Sequence, residues 1–284
     1  MNRPVLKTIT TLCFAVALCL GLAGCSESAD NLELSNQQQV DKTPPDKDLD
    51  LYLLIGQSNM AGRGAVEEED RREHPRVLTL NRENQWVPAK DPIHFDKKIA
   101  GVGPGRSFGL VMADQKPART IGLVPCAVGG SSIRCWEPGA IHKQTQTHPY
   151  DNMLKRMQIA RQSGTLKGIL WHQGESDSAM GLDGTYDDKL IQLIERLRQD
   201  LGAVQAPFVI GQLGEFEGRP WNAGRKAVDL AHKQVCATVY NTGFVETKGF
   251  TDKGDKAHFD TPSARKLGRR YAHKMLERQR KTNK

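Results

Sequence analysis

Ser58 stands in Gly56-Gln57-Ser58-Asn59, directly after the apolar run Leu49 to Ile55, and Asp255-Lys256-Ala257-His258 lies far along the chain, just before its last helical pattern. A serine hydroxyl is a poor nucleophile until a hydrogen-bonded base takes its proton, and an imidazole oriented by a carboxylate supplies that base. The spacing of three lets the Asp255 carboxylate reach Nδ1 of His258 and leaves Nε2 for Ser58. Acyl transfer is the chemistry of such a set, with activity that rises with pH as the imidazole loses its proton. It also needs donors aimed at the oxyanion that develops during attack. The backbone N–H groups of Ser58 and Gly130 and the side-chain amide of Gln173 are the candidates, since a glycine lets the backbone approach a substrate closely. Loss of the Gln173 amide is then expected to cost roughly 10²–10³-fold in turnover.

Gln57, Asn59 and Glu175 are polar neighbours with supporting roles, and Glu175 is also the alternative to Asp255 as the acid behind His258. His172, Glu175 and Asp177 lack a convincing metal-ligand spacing. No metal is assigned, and serine chemistry calls for no cofactor.

Strands must bring these turns together. Apolar runs of strand length fall at Leu49 to Ile55, Thr120 to Val124, Gly168 to Trp171, Phe208 to Gly211 and Gly243 to Glu246, with helical spacing between them at Ser107 to Gln115, Asn152 to Gln162, Tyr186 to Leu201, Asn222 to Tyr240 and Pro262 to Gln279. Alternation of this kind predicts an α/β fold with a parallel central sheet covered by helices on both faces. Open sheets of that type carry their sites at the carboxyl ends of the strands, where Ser58, Gly130 and Gln173 all fall. The stretch Glu67 to Gly105 breaks the rhythm with charge runs and reads as an insertion with short strands lining one wall of the site.

The chain has 284 residues, 38% hydrophobic and 26% charged, which is a globular composition. Its first residues differ: Arg3 and Lys7 precede the apolar stretch Ile9 to Leu22, which ends in Leu22-Ala23-Gly24-Cys25. That is a secretory signal, short for a membrane span. The ending resembles a bacterial lipobox, which makes 1–24 a lipoprotein signal peptide and Cys25 the lipidated residue. Ser26 after it favours the outer membrane over inner-membrane retention. A plain secreted or periplasmic protein is the alternative. Residues 25–48 are rich in Ser, Asn, Gln, Asp, Lys and Pro and read as a flexible tether; 49–284 form the remaining domain. After the signal and Cys25, three cysteines remain: Cys126, Cys135 and Cys236. One Cys126 to Cys135 disulfide is open to an exported protein, although Cys126, next to an apolar run, reads rather as a buried thiol. The formal charge is +7, with the cations concentrated in the last helical segment, where they read as a solvated face or, alternatively, as a contact for an anionic polysaccharide or lipid surface. Nothing accompanies them that would suit nucleic acid.

Taken together, Gly56-Gln57-Ser58-Asn59-Met60, Pro125-Cys126-Ala127-Val128-Gly129-Gly130, Trp171-His172-Gln173-Gly174-Glu175-Ser176 and Asp255-x-x-His258 resemble the sequence blocks of the SGNH hydrolase superfamily. Within it the chain is similar to the sialate O-acetylesterase-like domain shared with carbohydrate esterase family six, the acetylxylan esterases. The likeness runs from about Asp48 to Leu276. It implies a three-layer α/β/α sandwich of flavodoxin-like type and a serine esterase that removes O-acetyl groups from carbohydrate, acetylxylan or a related polysaccharide. A sialate O-acetylesterase and a catalytically silent carbohydrate-binding lipoprotein are the alternatives. Arg63, Arg106 and Trp136, with Trp221 and Asn222, are candidates for the sugar cleft. Where the family's glycine block continues into acidic residues, this chain has Ser131-Ser132-Ile133-Arg134, which places a cation there.

Overall fold

Eight consecutive buried residues, Leu49–Gly56, make strand β1. A strand covered on both faces must be apolar at nearly every position, and this one departs from that only at Asp50, whose carboxylate is met at the sheet's lower end by Lys116 at 3.2 Å and Arg119 at 2.9 Å. The computed structural model describes residues 49–179, 181 and 183–282. The expected signal peptide, Cys25 and the tether lie outside the described residues.

β1 pairs in parallel with β4 (Thr120–Pro125) on one side and β5 (Gly164–His172) on the other. β6 (Phe208–Gly211) and β7 (Thr242–Val245) extend the sheet beyond β5. At the opposite edge β2 (Val77–Leu80) runs parallel to β4, and β3 (Trp86–Pro88) closes the edge antiparallel to β2. The order is β3-β2-β4-β1-β5-β6-β7.

Period-two alternation along β1 divides the core into two layers. Leu51, Leu53 and Ile55 pack with Met153 and Met157 of α3 (Pro149–Ala160), Leu190 and Leu193 of α5 (Tyr186–Asp200) and Val228 of α6 (Ala223–Thr238). Tyr52 and Leu54 face Phe108 and Met112 of α2 (Pro104–Gln115) and Leu267, Tyr271 and Met275 of α7 (Thr261–Thr282). Two short helices, α1 (Ser58–Ala61) and α4 (Glu175–Ala179), sit directly after β1 and β5. The result is the expected three-layer α/β/α sandwich.

The segment Glu67 to Gly105 is not an insertion. Val77 and Leu80 are buried, and β2 aligns with β4 in the central sheet, Val77 beside Ile121. The short strands expected in it are present, but they extend the central sheet; their brevity and the charged flanks hide that membership from the pattern. Some cations of α7 are paired: Arg265 with Glu67, Glu69 and Asp70 across the fold, and Lys274 and Lys281 with Glu277 on the same helix.

Candidate active site

The chain leaves β1 through Gly56, whose φ of +127° and whose closeness to the His172 carbonyl, 2.1 Å from where a Cβ would stand, admit no side chain. Ser58 follows as the first residue of α1 and is 8% exposed. Its Oγ lies 3.0 Å from Nε2 of His258, and Nδ1 of His258 lies 2.7 Å from Oδ2 of Asp255. The other oxygen of Asp255 accepts the backbone N–H groups of Ala257 at 2.9 Å and His258 at 2.8 Å, an Asx-type turn around left-handed Lys256. Burial works against the charge on Asp255, but the hydrogen bonds from His258 and Ala257 outweigh it and hold the carboxyl well below the usual carboxylate range.

Two devices pin the loop that carries His258. Phe259 is buried in edge contacts with His172 at 5.5 Å, Phe216 at 5.5 Å and Phe250 at 5.6 Å. Asn59 straddles the histidine: its amide donates to the Ala257 carbonyl at 3.2 Å and accepts from the Phe259 N–H at 3.1 Å. Glu175 accepts from the same Asn59 amide at 2.6 Å. The contact to His258 therefore belongs to Asp255, and Glu175 acts one step back, through Asn59.

The backbone N–H groups of Ser58 and Gly130 donate to no acceptor among the described residues. Gly130 sits at φ +85°, and its carbonyl accepts from Ser176 Oγ at 3.1 Å, which fixes the peptide around it. Next to it the Gly129 N–H donates to Asp96 at 2.8 Å, and Asp96 in turn pairs with Arg63 at 2.7 Å.

Gln173 does not fit the expected role of a donor. It is fully buried, and its amide hydrogens go to Gln57 Oε1 at 3.1 Å, the Ser131 carbonyl at 3.0 Å and the Asp177 carboxylate, while its Oε1 accepts from the Tyr186 hydroxyl at 2.8 Å. An amide already surrounded by acceptors has no hydrogen left for a substrate. Gln57 is the amide with hydrogens to spare. Its Oε1 takes Gln173 Nε2 and the Ser176 backbone N–H at 3.2 Å, which fixes the orientation of the amide, and its Nε2 meets no acceptor among the described residues.

The expected cleft residues are mostly elsewhere. Arg63 is buried, with its guanidinium on Asp96 and the Gly62 carbonyl. Arg106, in the first turn of α2, is buried and bonds the Ala89 and Arg72 carbonyls. Trp136 is a core residue in edge contact with Trp171 and donates to Ser131 Oγ. Asn222 caps α6 by accepting the Arg225 N–H, and the Trp221 indole donates to the Gly214 carbonyl. In each case a polar end that suggested substrate contact is taken by backbone or a buried partner. Cys126, Cys135 and Cys236 are all free thiols, so the Cys126 to Cys135 disulfide does not form. Burial lowers the His172 imidazole below its usual value, and its Nδ1 faces the Tyr271 hydroxyl at 3.2 Å.

Asp96, Ser176, Tyr186 and Phe259 are the contributors that sequence reasoning missed. Only Ser176, inside the Gln-Gly-Glu-Ser turn, carried a local signal; the others act through contacts between distant segments.

Residues 48–277 match the family model described as carbohydrate esterase, sialic acid-specific acetylesterase. A probable carbohydrate esterase of Arabidopsis thaliana is 32% identical over 246 residues, 79% of this chain and 88% of that protein. A solved structure of an Arabidopsis thaliana protein superposes with a TM-score of 0.70 at 30% identity, over 81% of this chain and 98% of that one. The structure of NanS shares the fold, with a TM-score of 0.66 at 16% identity over 84% of this chain and 99% of its own.

Proposed function

The chain belongs to the carbohydrate esterase, sialic acid-specific acetylesterase family and is a carbohydrate acetylesterase, and on that premise we propose that it works as a serine esterase through an acetyl-Ser58 intermediate. The observation that carries this reading is the continuous relay from Ser58 Oγ to His258 Nε2 and from His258 Nδ1 to Asp255, at 3.0 and 2.7 Å. In it, Ser58 Oγ attacks the acetyl carbonyl carbon as His258 takes the hydroxyl proton. The negative oxygen meets the N–H groups of Ser58 and Gly130, with the Gln57 amide as third donor in place of Gln173. Collapse expels the sugar oxygen, which receives the proton from His258. Water then gives a proton to the same nitrogen, attacks the acetyl group and releases acetate with Ser58 restored.

Acetylated xylan or a related polysaccharide is the proposed substrate. O-acetyl sialic acid is the second reading, favoured by the family model's own description. Acetate release from 4-nitrophenyl acetate, acetylated xylan and acetylated sialic acid separates them, and a serine-directed acylating reagent should label Ser58. Labelling at Ser131 or Ser132, or activity on the nitrophenyl ester with no saccharide processed, would sink the reading.

The sequence also supports a lipid-anchored envelope protein tethered through Cys25. Cys25→Ser should move the protein out of the membrane fraction; recovery of wild-type protein soluble and with an unmodified amino terminus refutes the anchor.

A further inference from the structure

Beside the catalytic loops, at the carboxyl end of β4, the chain builds a second cleft of about 460 Å³. One wall is Ala127-Val128, the stretch that leads into Gly129 and Gly130. Phe95 also lines it, with its ring contacted by the guanidinium groups of Arg82 at 5.1 Å and Arg156 at 4.9 Å and its carbonyl accepting one hydrogen of Arg82 at 2.8 Å. Arg82, Lys155 and Arg156 all line the cleft, and Arg82 and Lys155 are exposed at its rim. The lining has one carboxylate, Asp96, and that is already committed to Arg63 and the Gly129 N–H. The cleft is therefore positive, with no acid of its own to neutralise it.

Its floor is polar and unfinished. His94 lines the cleft at 3% exposure; the Leu54 carbonyl faces its ring without meeting hydrogen-bond geometry, so at least one ring nitrogen is left without a partner, as is Nε of Arg156. Buried polar groups in native structures are nearly always paired. Burial lowers the His94 imidazole to about 4, so at neutral pH the ring offers one donor and one acceptor. A hydroxyl satisfies either; an aliphatic ligand satisfies neither. Excess cations at the rim and an imidazole with an unpaired nitrogen beneath them together describe a ligand that is both anionic and rich in hydroxyls.

We propose that this cleft binds a carboxylated sugar unit, its carboxylate at Arg82 and Lys155 and a ring hydroxyl at His94. The inference rests on the carbohydrate reading of the neighbouring site. Asp96 belongs to both places, since it lines the cleft and holds the Gly129 N–H beside Gly130. A polymer seated by an acidic unit here would lie against the loop that receives the acetyl group, so the cleft selects acetylated chains that carry uronic or sialic acid residues over neutral ones.

The test uses the full chain with Ser58→Ala, so that binding is read without turnover. Glucuronic acid and xylobiose are titrated separately, with the ring nitrogen resonances of His94 as the reporter. Glucuronic acid should bind and move those resonances, xylobiose should do so at least tenfold more weakly, and the pair Arg82→Ala with Lys155→Ala should weaken glucuronic acid at least tenfold. In the active enzyme the same pair should leave hydrolysis of 4-nitrophenyl acetate unchanged and lower kcat/KM about tenfold on acetylated acidic oligosaccharides alone. Equal binding of xylobiose, or glucuronic acid binding indifferent to Arg82 and Lys155, overturns the proposal. Failure to deacetylate any saccharide counts against the carbohydrate reading instead, because the titration does not depend on it.

Discussion

His258 and Asp255 keep 25% and 36% of their side-chain surface exposed, whereas Gln173, Asp177, His172 and His232, which surround the strand ends behind the nucleophile turn, are fully buried. The two regions are built to opposite requirements. In front, a proton must pass from serine to imidazole to leaving group, so the imidazole stays in reach of water and only its orientation is fixed. Behind, no proton moves. The Tyr186 hydroxyl bridges Gln173 and the indole of Trp171 and faces His232 Nε2 at 3.1 Å; Gln173 ties in Gln57, Ser131 and Asp177; and Asp177 holds the Ile133 N–H at 3.0 Å. Burial there raises the Asp177 carboxyl above its ordinary value and lowers the His232 imidazole to about 3. Such a network is strong in proportion to how fully it is satisfied, and of these four buried side chains only Nε2 of His172 and Nδ1 of His232 lack a hydrogen-bond partner among the described residues. The lesson is a division of labour: variants in front should damage rate and spare stability, and variants behind should do the reverse.

The sharpest case is Ser58→Ala, expected to lower turnover by roughly 10⁴–10⁶-fold with the melting temperature unchanged, measured by acetate release and calorimetry. Asp255→Asn is next, with a loss of at least about 10²-fold in kcat and little change in KM, as the amide favours the wrong imidazole tautomer. Glu175→Gln should cost only ~10-fold, since it reaches His258 through Asn59; the comparison breaks if Glu175→Gln proves the more damaging of the two. Gln173→Ala tests the rear region. It strands buried partners on Gln57, Asp177 and Tyr186, and should cost about 2–4 kcal/mol in urea unfolding, with turnover falling ~10-fold as Gln57 loses its support. A stable Gln173→Ala protein that has lost 10²–10³-fold in turnover would restore the amide to the oxyanion hole.

The smallest effect is graded with pH. His94 and His232, lowered to about 4 and about 3, and His172, also lowered, bind fewer protons folded than unfolded. Their contribution is complete above the unfolded value of 6.5 and is lost progressively as pH falls toward the folded values. Asp91, pushed up to about 8 by burial and by Asp70, works in the opposite sense: what it contributes is present below 3.8 and lost as pH rises through 8. Urea midpoints followed from pH 7 to pH 4 should therefore fall, and Asp91→Asn should steepen that fall while raising stability at pH 8. A flat profile would mean that these imidazoles are not held neutral.

Much of this was legible in the chain. The continuous apolar run of β1 announces a strand buried on both faces, its end in Gly-Gln-Ser-Asn marks the nucleophile turn, and Asp255 three residues before His258 is a spacing that local geometry alone can close. Those features are short-range, and sequence determines short-range structure directly. What sequence left open was which polar end each side chain would spend inward. Gln173 and Gln57 are the same residue type in adjacent strand-end turns, and only the packing of β1 against β5, with the Ser176 N–H and Asp177 arriving from α4, saturates one and leaves the amide of the other free. Arg63, Arg106 and Trp136 likewise look like surface groups until the fold brings Asp96, the Ala89 carbonyl and Ser131 to meet them. Burial is a property of the assembled layers, and the cost of an unpaired polar group there, which no local pattern encodes, decides where each hydrogen bond goes.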